Sequence, residues 1–192
     1  ANNVGGPTSI TVKIDSVAPV VTGVVSPPAT AQGWNSTDAS VTFSCADPAP
    51  SSGLTTNTIV TSATNLTSET AGTNVSSSGS CIDDAGNAAA QGNVLVKIDK
   101  TAPVISSTIS PSPNAAGWNN SDVTVNFSCE DTGPVQSGIL TNTLTNGSVT
   151  ADSPFAGTTV SNGGACTDAA TNNAQPGSAI VKLDKTPPTA SI

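Results

Sequence analysis

The sequence predicts an all-β protein made of two tandem sandwich domains, each with one disulfide between its two sheets. Nearly the same fifteen residues occur twice, as GWNSTDASVTFSCAD from Gly33 and as GWNNSDVTVNFSCED from Gly117. In each copy a second cysteine follows the first by 36 or 37 residues. Short stretches of alternating apolar and polar residues lie between clusters of Pro, Gly, Asn, Asp and Ser, which is typical of β-strands and not of helices.

The repeat extends over the whole chain with a period of 84 or 85 residues. The segment VKID at 12–15 returns at 96–99 and, as VKLD, at 181–184. A period of this length indicates an array of similar modules. We therefore assign residues 1–14 to the last strand of a preceding repeat, 15–100 to the first repeat, 101–185 to the second and 186–192 to the start of a following one. The expected partners are neighbouring repeats of the same chain.

Alternation of apolar residues defines the strands within each repeat. Val41, Phe43 and Cys45 share one face of SVTFSC, and DVTVNFSC repeats this pattern. In the last strand the pattern places Ile98 inward and Asp99 outward. Six or seven short strands, with cysteines on the second and the next-to-last, predict an immunoglobulin-like sandwich in each repeat.

The four cysteines, Cys45, Cys81, Cys129 and Cys166, formally allow three pairings. Because each repeat owns two of them, we predict that they pair within the repeats. A zinc site is disfavoured, since the spacing is not that of zinc ligands and the chain has no histidine. Disulfides form in oxidising compartments, so we expect a secreted protein that is extracellular or on the cell surface.

Composition argues against several functions. Only 9% of the residues are charged, and His, Tyr, Met and Arg are absent, which leaves few groups for acid–base catalysis. The net charge of −8 and the lack of any run of lysines argue against binding to nucleic acid or to anionic membranes. No apolar run is long enough to insert into a membrane. We expect no enzyme activity in this chain.

Three segments together resemble a known family. They are GWNNSDVTVNFSC, the pattern C-x-D-x-A-[GT]-N at 81–87 and 166–172, and VKIDKTAPVI. The combination resembles the bacterial Ig-like repeats strung together in large secreted and cell-surface proteins. The resemblance implies an extracellular stalk or fibre that spaces or displays other domains, is sometimes adhesive, and carries no chemistry. Thr171 stands where the first copy has Gly86, so we expect the turn of the second copy to differ in shape.

Three functions are compatible with these features. The first is a structural repeat of a surface stalk or fibre, which the repetition and the missing catalytic residues favour. The second is an adhesin-type module that binds a glycan or a protein. The third is an accessory domain of a secreted carbohydrate-active enzyme. Trp34 and Trp118, which follow the first strand of their repeats, are candidates for a cap of the core, a brace between domains or a platform for a sugar.

Strand directions predict a calcium site at each junction between repeats. Asp47 and Asp83 lie two residues beyond paired cysteines and should emerge at the end of the sandwich where Asp15 enters. The same reasoning brings together Asp99, Asp131 and Asp168. Calcium binds carboxylate and carbonyl oxygens, so these acids are candidate ligands. The alternative is that each Asp only accepts hydrogen bonds from its own turn.

Two further expectations concern the surface. Ile10, Val12 and Ile14 form an apolar face that belongs to a repeat outside this chain, so residues 1–14 are candidates for strand addition to a neighbouring molecule and for filament formation. Six Asn-x-Ser/Thr sequons are candidate glycosylation sites: Asn35, Asn65, Asn74, Asn119, Asn126 and Asn146.

Overall fold

The computed structural model describes residues 9–190, and every regular element in it is a β-strand. The first repeat contributes β1 (Val20–Ser26), β2 (Ala39–Ala46), β3 (Leu54–Asn57), β4 (Thr64–Leu66), β5 (Thr70–Ser76), β6 (Cys81–Asp83) and β7 (Asn93–Ile98). The second contributes β8 (Val104–Ser110), β9 (Val123–Glu130), β10 (Ile139–Asn142), β11 (Gly147–Val149), β12 (Thr158–Ser161), β13 (Cys166–Asp168) and β14 (Ser178–Val181). No helix in the described range is long and apolar enough to cross a membrane.

Both repeats pair their strands in the same way. In the first repeat the sheets are β1-β2-β4, β3-β6 and β5-β7, and in the second they are β8-β9-β11, β10-β13 and β12-β14. The pairs β3-β6, β8-β9, β9-β11, β10-β13 and β12-β14 are antiparallel. The predicted all-β fold, with two immunoglobulin-like sandwiches, is confirmed.

A disulfide joins two sheets in each repeat. Cys45 on β2 bonds to Cys81 on β6, with 6.5 Å between their Cα atoms. Cys129 on β9 bonds to Cys166 on β13, with 6.3 Å between their Cα atoms. The predicted pairing within repeats, with one disulfide between sheets in each, is confirmed.

The chain divides into two compact units. The first comprises Ala1–Val25, Ser40–Asn65 and Asn74–Leu95, of which residues 1–8 lie outside the described range. The second comprises Ser26–Ala39, Leu66–Thr73 and Val96–Ile192, with residues 191–192 outside that range. The division predicted from the sequence, at residues 15, 101 and 186, stays a prediction.

Small β-branched residues dominate the interior of both units. The buried apolar side chains of the first unit are Val41, Phe43, Ile59, Val75 and Cys81. In the second unit, one cluster combines Val123, Val125, Val149, Val181 and Leu183. Val41 and Phe43 on β2, and Val123 and Val125 on β9, are each separated by one exposed residue, so the period-two pattern in the sequence identified the buried face of these strands correctly.

The described part of the N-terminal segment, residues 9–19, contains no strand. Ile10, Val12 and Ile14 are 87%, 72% and 81% exposed. The equivalent residues of the first repeat include Val96 and Ile98, which are 2% and 0% exposed. The segment therefore carries the sequence of a last strand without its burial. Residues 1–8 of this predicted strand lie outside the described range, and its association with another molecule stays a prediction.

Candidate metal centres

Two groups of three aspartates converge, one in each unit. Within a group, one carboxylate oxygen of each residue lies within 4.8 Å of those of the other two. The first triad is Asp15, Asp47 and Asp83, and the second triad is Asp99, Asp131 and Asp168. These are the six residues predicted from the sequence as calcium ligands.

Strand ends position the members of the second triad. Asp131 directly follows β9, and Asp168 is the last residue of β13. Because Asp168 comes two residues after Cys166, it faces the same side of its strand and is fully buried. Asp99 was predicted to face outward, and this is wrong, since it is 0% exposed. The strand β7 ends at Ile98, so the alternation of faces does not extend to Asp99.

Main-chain N–H groups hold the carboxylates of the second triad in place. The N–H groups of Thr101 and Ser137 donate to the two oxygens of Asp99, at 3.1 and 2.8 Å. Gly138 N–H donates to Oδ2 of Asp131 at 2.6 Å. In the first triad, Ser52 and Gly53 provide the equivalent bonds to Asp15 and Asp47, at 2.8 and 2.9 Å. Each aspartate thus does accept bonds from nearby turns, as the alternative interpretation expects, and the triads form in addition.

One buried oxygen in each triad has no partner. Oδ1 of Asp47 and Oδ1 of Asp131 are inaccessible to solvent and accept no hydrogen bond from the described residues. The two ion pairs found in the described range use Asp38 and Asp122 instead. A buried carboxylate is costly unless hydrogen bonds or a cation compensate its charge. The unpartnered oxygens are therefore where a cation would bind with the largest gain.

The pKa values of two triad aspartates shift in opposite directions. Burial raises the pKa of Asp131, and repulsion from Asp99 and Asp168 raises it further, against the opposing effect of the Gly138 N–H. In the first triad, the N–H of Val17 and the hydrogen bond from Ser52 lower the pKa of Asp15. The second triad thus brings three carboxylates together against their mutual repulsion. A divalent cation would remove that repulsion.

The donor set fits calcium. All ligand atoms are oxygens, the chain has no histidine, and all four cysteines are in disulfides. Oxygen donors select hard cations such as Ca²⁺ and Mg²⁺ over zinc or copper. Calcium takes six to eight oxygens at 2.3–2.6 Å, so two of its ligands can be up to about 5 Å apart. The separation of 4.8 Å or less within each triad lies in this range. The remaining ligands would be main-chain carbonyls and water.

An asparagine that was not predicted from the sequence as part of the site joins each triad through hydrogen bonds. The side-chain amide of Asn172 donates to Oδ2 of Asp168 at 2.8 Å and to the carbonyl of Asp99 at 2.9 Å. Asn87 makes the equivalent bonds to Asp83 and to the carbonyl of Asp15, at 2.7 and 3.2 Å. The signal was present in the sequence as the last residue of C-x-D-x-A-[GT]-N. The repeated Ser-Gly pairs at 52–53 and 137–138 were a second signal.

The turns that carry these asparagines have the same shape in both copies. Gly86 has φ of 91° and Thr171 has φ of 72°, so both are in the left-handed region. The N–H of each donates to the carbonyl of the triad aspartate three residues before it, at 3.2 Å from Gly86 and 3.1 Å from Thr171. The expectation that threonine changes the turn is therefore wrong. The hydrogen bonds around the turn impose on Thr171 a conformation that favours glycine.

The asparagine after each tryptophan fixes the end of the last strand. Asn35 N–H donates to the carbonyl of Lys97, and Asp99 N–H donates to the carbonyl of Asn35, both at 2.9 Å. The amide of Asn35 also donates to the carbonyl of Pro27 at 2.9 Å. Asn119 forms the same three bonds in the second repeat.

These bonds correct two of the candidate glycosylation sites. Asn35 and Asn119 are 4% and 6% exposed, and their amide nitrogens already donate to carbonyls. A glycan needs that nitrogen to be free and accessible, so neither residue can carry one in the folded protein. Asn65 and Asn74 are exposed, and Asn126 and Asn146 bond to each other through their side chains at 2.9 Å. Those four stay predictions.

The tryptophans are half-buried and pair with lysines at the end of the last strand of their repeat. The ammonium of Lys97 lies 5.5 Å from the ring centre of Trp34. Lys182 lies 5.8 Å from the ring centre of Trp118 and 5.0 Å from that of Phe155. Cation–π contacts of this kind hold the side chains against one another. Phe155 was not predicted, and it is 82% exposed.

The Lys-Thr pair after each last strand forms a third repeated arrangement. Lys100 pairs with Asp38 and donates its main-chain N–H to Glu69 at 2.8 Å. The Thr101 hydroxyl donates to the same oxygen of Glu69 at 2.8 Å. In the second repeat Lys185 pairs with Asp122 and donates its main-chain N–H to Asp152. The Thr186 hydroxyl also donates to the carboxylate of Asp152. We call these two arrangements the Lys-Thr latches.

Comparisons with known proteins identify no family for this chain. No protein-family model matches it, and neither does any curated protein. A similar solved structure is titled "Structures of Clostridium thermocellum CbhA fibronectin(III)-like modules". It is 13% identical, the alignment covers 89% of this chain and 100% of that one, and the TM-score is 0.34. The fold assignment rests on the strand pairing and the disulfides of this chain.

Proposed function

We propose that this chain is a non-catalytic structural segment of an extracellular protein, a stalk or fibre in which immunoglobulin-like repeats space other domains. The segment that follows β7 carries this proposal, because hydrogen bonds hold consecutive residues of it. Asp99 accepts bonds from Ser137 and Asn172, and Lys100 donates to Glu69. A connection held at successive residues behaves as a stiff spacer, whereas a Gly/Ser linker would act as a flexible tether.

Two other features support a structural role. Among the described residues, the groups of three or more Asp, Glu or Cys side chains that converge are the two triads, and each consists of aspartates alone. The disulfides suit an oxidising compartment outside the cell. Both features are compatible with a structural segment, and neither supplies a group for acid–base or nucleophilic catalysis.

Backbone ¹⁵N relaxation tests the spacer proposal. We expect the order parameters of residues 99–104 to match those of β7 and β8, because each end of the segment is hydrogen-bonded. Order parameters below about 0.6 for these residues would mean a flexible linker and would contradict a spacing function.

We further propose that each triad binds Ca²⁺ and that the ion stiffens the connection between repeats. Asp15 and Asp99 belong to connecting segments, and their triad partners belong to the body of the following repeat. An ion bound to all three carboxylates would therefore link the connection to the sandwich. A ligand that binds only the folded state at about 100 times its Kd adds about 2.7 kcal/mol to stability.

Thermal unfolding of metal-stripped protein tests the calcium proposal. Added Ca²⁺ should raise the melting temperature, and excess chelator should reverse the change. The variant Asp131→Asn should lose the response of the second triad. Without calcium the same variant should be at least as stable as the unchanged protein, because it removes a carboxylate whose charge is disfavoured first by burial and then by the neighbouring Asp99 and Asp168. The variant should thus be less stable than the unchanged protein with calcium and at least as stable without it. A variant that merely damages the fold would be less stable under both conditions.

Asp84→Asn is the matched control, since Asp84 is exposed and adjoins a triad residue without belonging to the triad. It should keep the full response to calcium. A melting temperature that calcium leaves unchanged in the stripped protein would exclude the metal. The aspartates would then serve only their hydrogen bonds.

A further inference from the structure

A contact in the second unit shows how one repeat can meet the next. The hydroxyl of Thr30, which lies just before Trp34, donates to the carbonyl of Ala169 at 3.0 Å. Ala169 and Ala170 are in the turn between Asp168 and Asn172, and they are only 8% and 0% exposed. The loop before one repeat's tryptophan thus contacts the turn that carries the next repeat's triad asparagine.

The same two surfaces occur a second time in this chain, where the turn and the residue equivalent to Thr30 are exposed. Asp84, Ala85 and Gly86 occupy the equivalent turn of the first repeat, and all three are exposed. We call them the turn surface. The equivalent of the Thr30 loop is in the second repeat, where Asn114, Trp118, Lys182 and the exposed Phe155 form what we call the pole surface.

The chemistry of these two exposed surfaces is complementary. Asn114 takes the place of Thr30, and its Oδ1 accepts the N–H of Trp118 at 3.0 Å, as the hydroxyl of Thr30 accepts that of Trp34 at 3.2 Å. The amide nitrogen of Asn114 has no partner among the described residues and can donate to a carbonyl, as the Thr30 hydroxyl does. The turn surface carries the carboxylate of Asp84 where the other turn has Ala169, and the pole surface carries the ammonium of Lys182.

We propose that the pole surface of one molecule docks on the turn surface of a second copy of this chain. Asn114 then donates to the carbonyl of Asp84, and Lys182 lies near the Asp84 carboxylate. Phe155 adds apolar area at the edge of the contact. Because the two surfaces differ, the contact is head-to-tail and continues from molecule to molecule into an open chain. The proposal deepens the spacer function, on which it rests, by naming the surfaces through which repeats associate.

Residues 9–14 affect this docking. Their sequence is that of a last strand, and they form no strand in the described range. In a docked pair the last strand of the first molecule would take the place of these residues on the second copy, so they must move aside. Deleting residues 1–12 should therefore leave the association unchanged or strengthen it. Weaker association after the deletion would show that the segment itself forms the contact and would overturn the proposal.

A pair of charge-reversed variants provides the main test. Lys182→Glu gives a molecule whose two surfaces are both negative, and Asp84→Lys gives one whose two surfaces are both positive. In sedimentation velocity each variant alone should associate at least about fivefold more weakly than the unchanged chain, the effect of about 1 kcal/mol from one ion pair. An equimolar mixture should recover the association, because every contact between unlike molecules then joins opposite charges.

The mixture also guards against misfolded variants, since a variant that fails to fold cannot restore assembly. Unchanged melting temperatures of the single variants provide the direct check. The proposal is overturned if the unchanged chain stays monomeric up to about 1 mM, or if the mixture associates no better than the separate variants. Neither result bears on the spacer function, which is measured on single molecules by relaxation of residues 99–104.

Discussion

The side-chain amide of Asn172 donates to the carboxylate of Asp168 at 2.8 Å and to the main-chain carbonyl of Asp99 at 2.9 Å. One amide group therefore fixes a buried acid of the second repeat and the connection that enters it. Asn87 does the same for Asp83 and Asp15. The turn of C-x-D-x-A-[GT]-N thus has a structural role independent of any metal.

Replacing Asn172 with alanine should destabilise the second unit by about 2 kcal/mol, because it leaves a fully buried carboxylate with fewer donors. Chemical denaturation in the presence of a chelator measures this loss without a contribution from calcium. Asn120→Ala is the matched control, since Asn120 is exposed and makes no hydrogen bond to the described residues. Equal stability of the two variants would mean that the paired bonds of Asn172 contribute nothing.

The sequence predicted the strands well because a strand in a sandwich buries every second side chain, and this alternation is visible in the sequence. Val123 and Val125 are buried with one exposed residue between them, and the copy in the first repeat shows the same alternation. Repetition also indicated which residues matter. Two cysteines and three aspartates recur in each copy, and the structure brings each set together.

The limits of the sequence are at strand ends and turns. Asp99 was placed on the wrong face because alternation holds only where the chain is extended, and β7 ends one residue earlier. Asn35 was read as a glycosylation sequon, whereas its amide is buried against Pro27. A sequon shows that an asparagine side chain is present, but only the fold shows whether its amide is accessible to solvent. The ring centres of Phe155 and Trp118 are 6.2 Å apart. Phe155 lies in the connection between β11 and β12, which is longer than the connection between β4 and β5 in the first repeat, so no repeated pattern could identify it.

The Lys-Thr latches should make stability depend on pH. Bonds from the Thr101 hydroxyl and the Lys100 N–H lower the pKa of Glu69 from its ordinary 4.5, and Thr186 and Lys185 lower that of Asp152 from 3.8. A carboxyl whose pKa is lower in the folded state stabilises the protein above its unfolded pKa. This stabilisation is lost as the pH falls through the folded pKa. We therefore expect stability to decrease on acidification below about pH 4.5.

The variant Glu69→Gln isolates this effect, because glutamine keeps the shape of the side chain without its charge. It should be less stable than the unchanged chain at neutral pH, and the difference should shrink as the pH falls below the folded pKa of Glu69. Denaturation midpoints across this range measure it. Glu130→Gln is the control at an exposed position at the end of β9. A difference that stays constant with pH would show that the charge of Glu69 has no role in the latch.

Removing a disulfide should cost more than any of these changes. Each bridge closes a loop of 36 or 37 residues. On the chain-entropy model this corresponds to about 4 kcal/mol. Replacing both Cys45 and Cys81 with alanine should therefore lower the unfolding free energy of the first repeat by about that amount in chemical denaturation. The second repeat, which keeps Cys129 and Cys166, is the internal control, and a loss below about 1 kcal/mol would contradict the model.

Exchanging the residues of the equivalent turns should change stability in opposite directions. Thr171 has φ of 72°, a conformation that is unfavourable for a β-branched residue and open to glycine. Thr171→Gly should therefore stabilise the second unit by about 1 kcal/mol, after allowing for the greater freedom of glycine in the unfolded chain. Gly86→Thr should destabilise the first unit by a similar amount.

The two variants test the same backbone position, because in both turns the residue there donates its N–H to the carbonyl of the aspartate three residues before it. The turns also differ at Asp84 and Ala169, and of these two residues Ala169 is the one that accepts a bond from Thr30. The hydroxyl of Thr171 bonds to the carbonyl of Ala170 at 2.5 Å, and this contact offsets part of the cost of the left-handed conformation. Thr171→Ser separates the two contributions, since serine keeps the hydroxyl without the branch at Cβ, and it should be intermediate between threonine and glycine. If Thr171→Gly lowers the unfolding free energy instead, the hydroxyl contact outweighs the backbone conformation, and the turn has adapted to threonine.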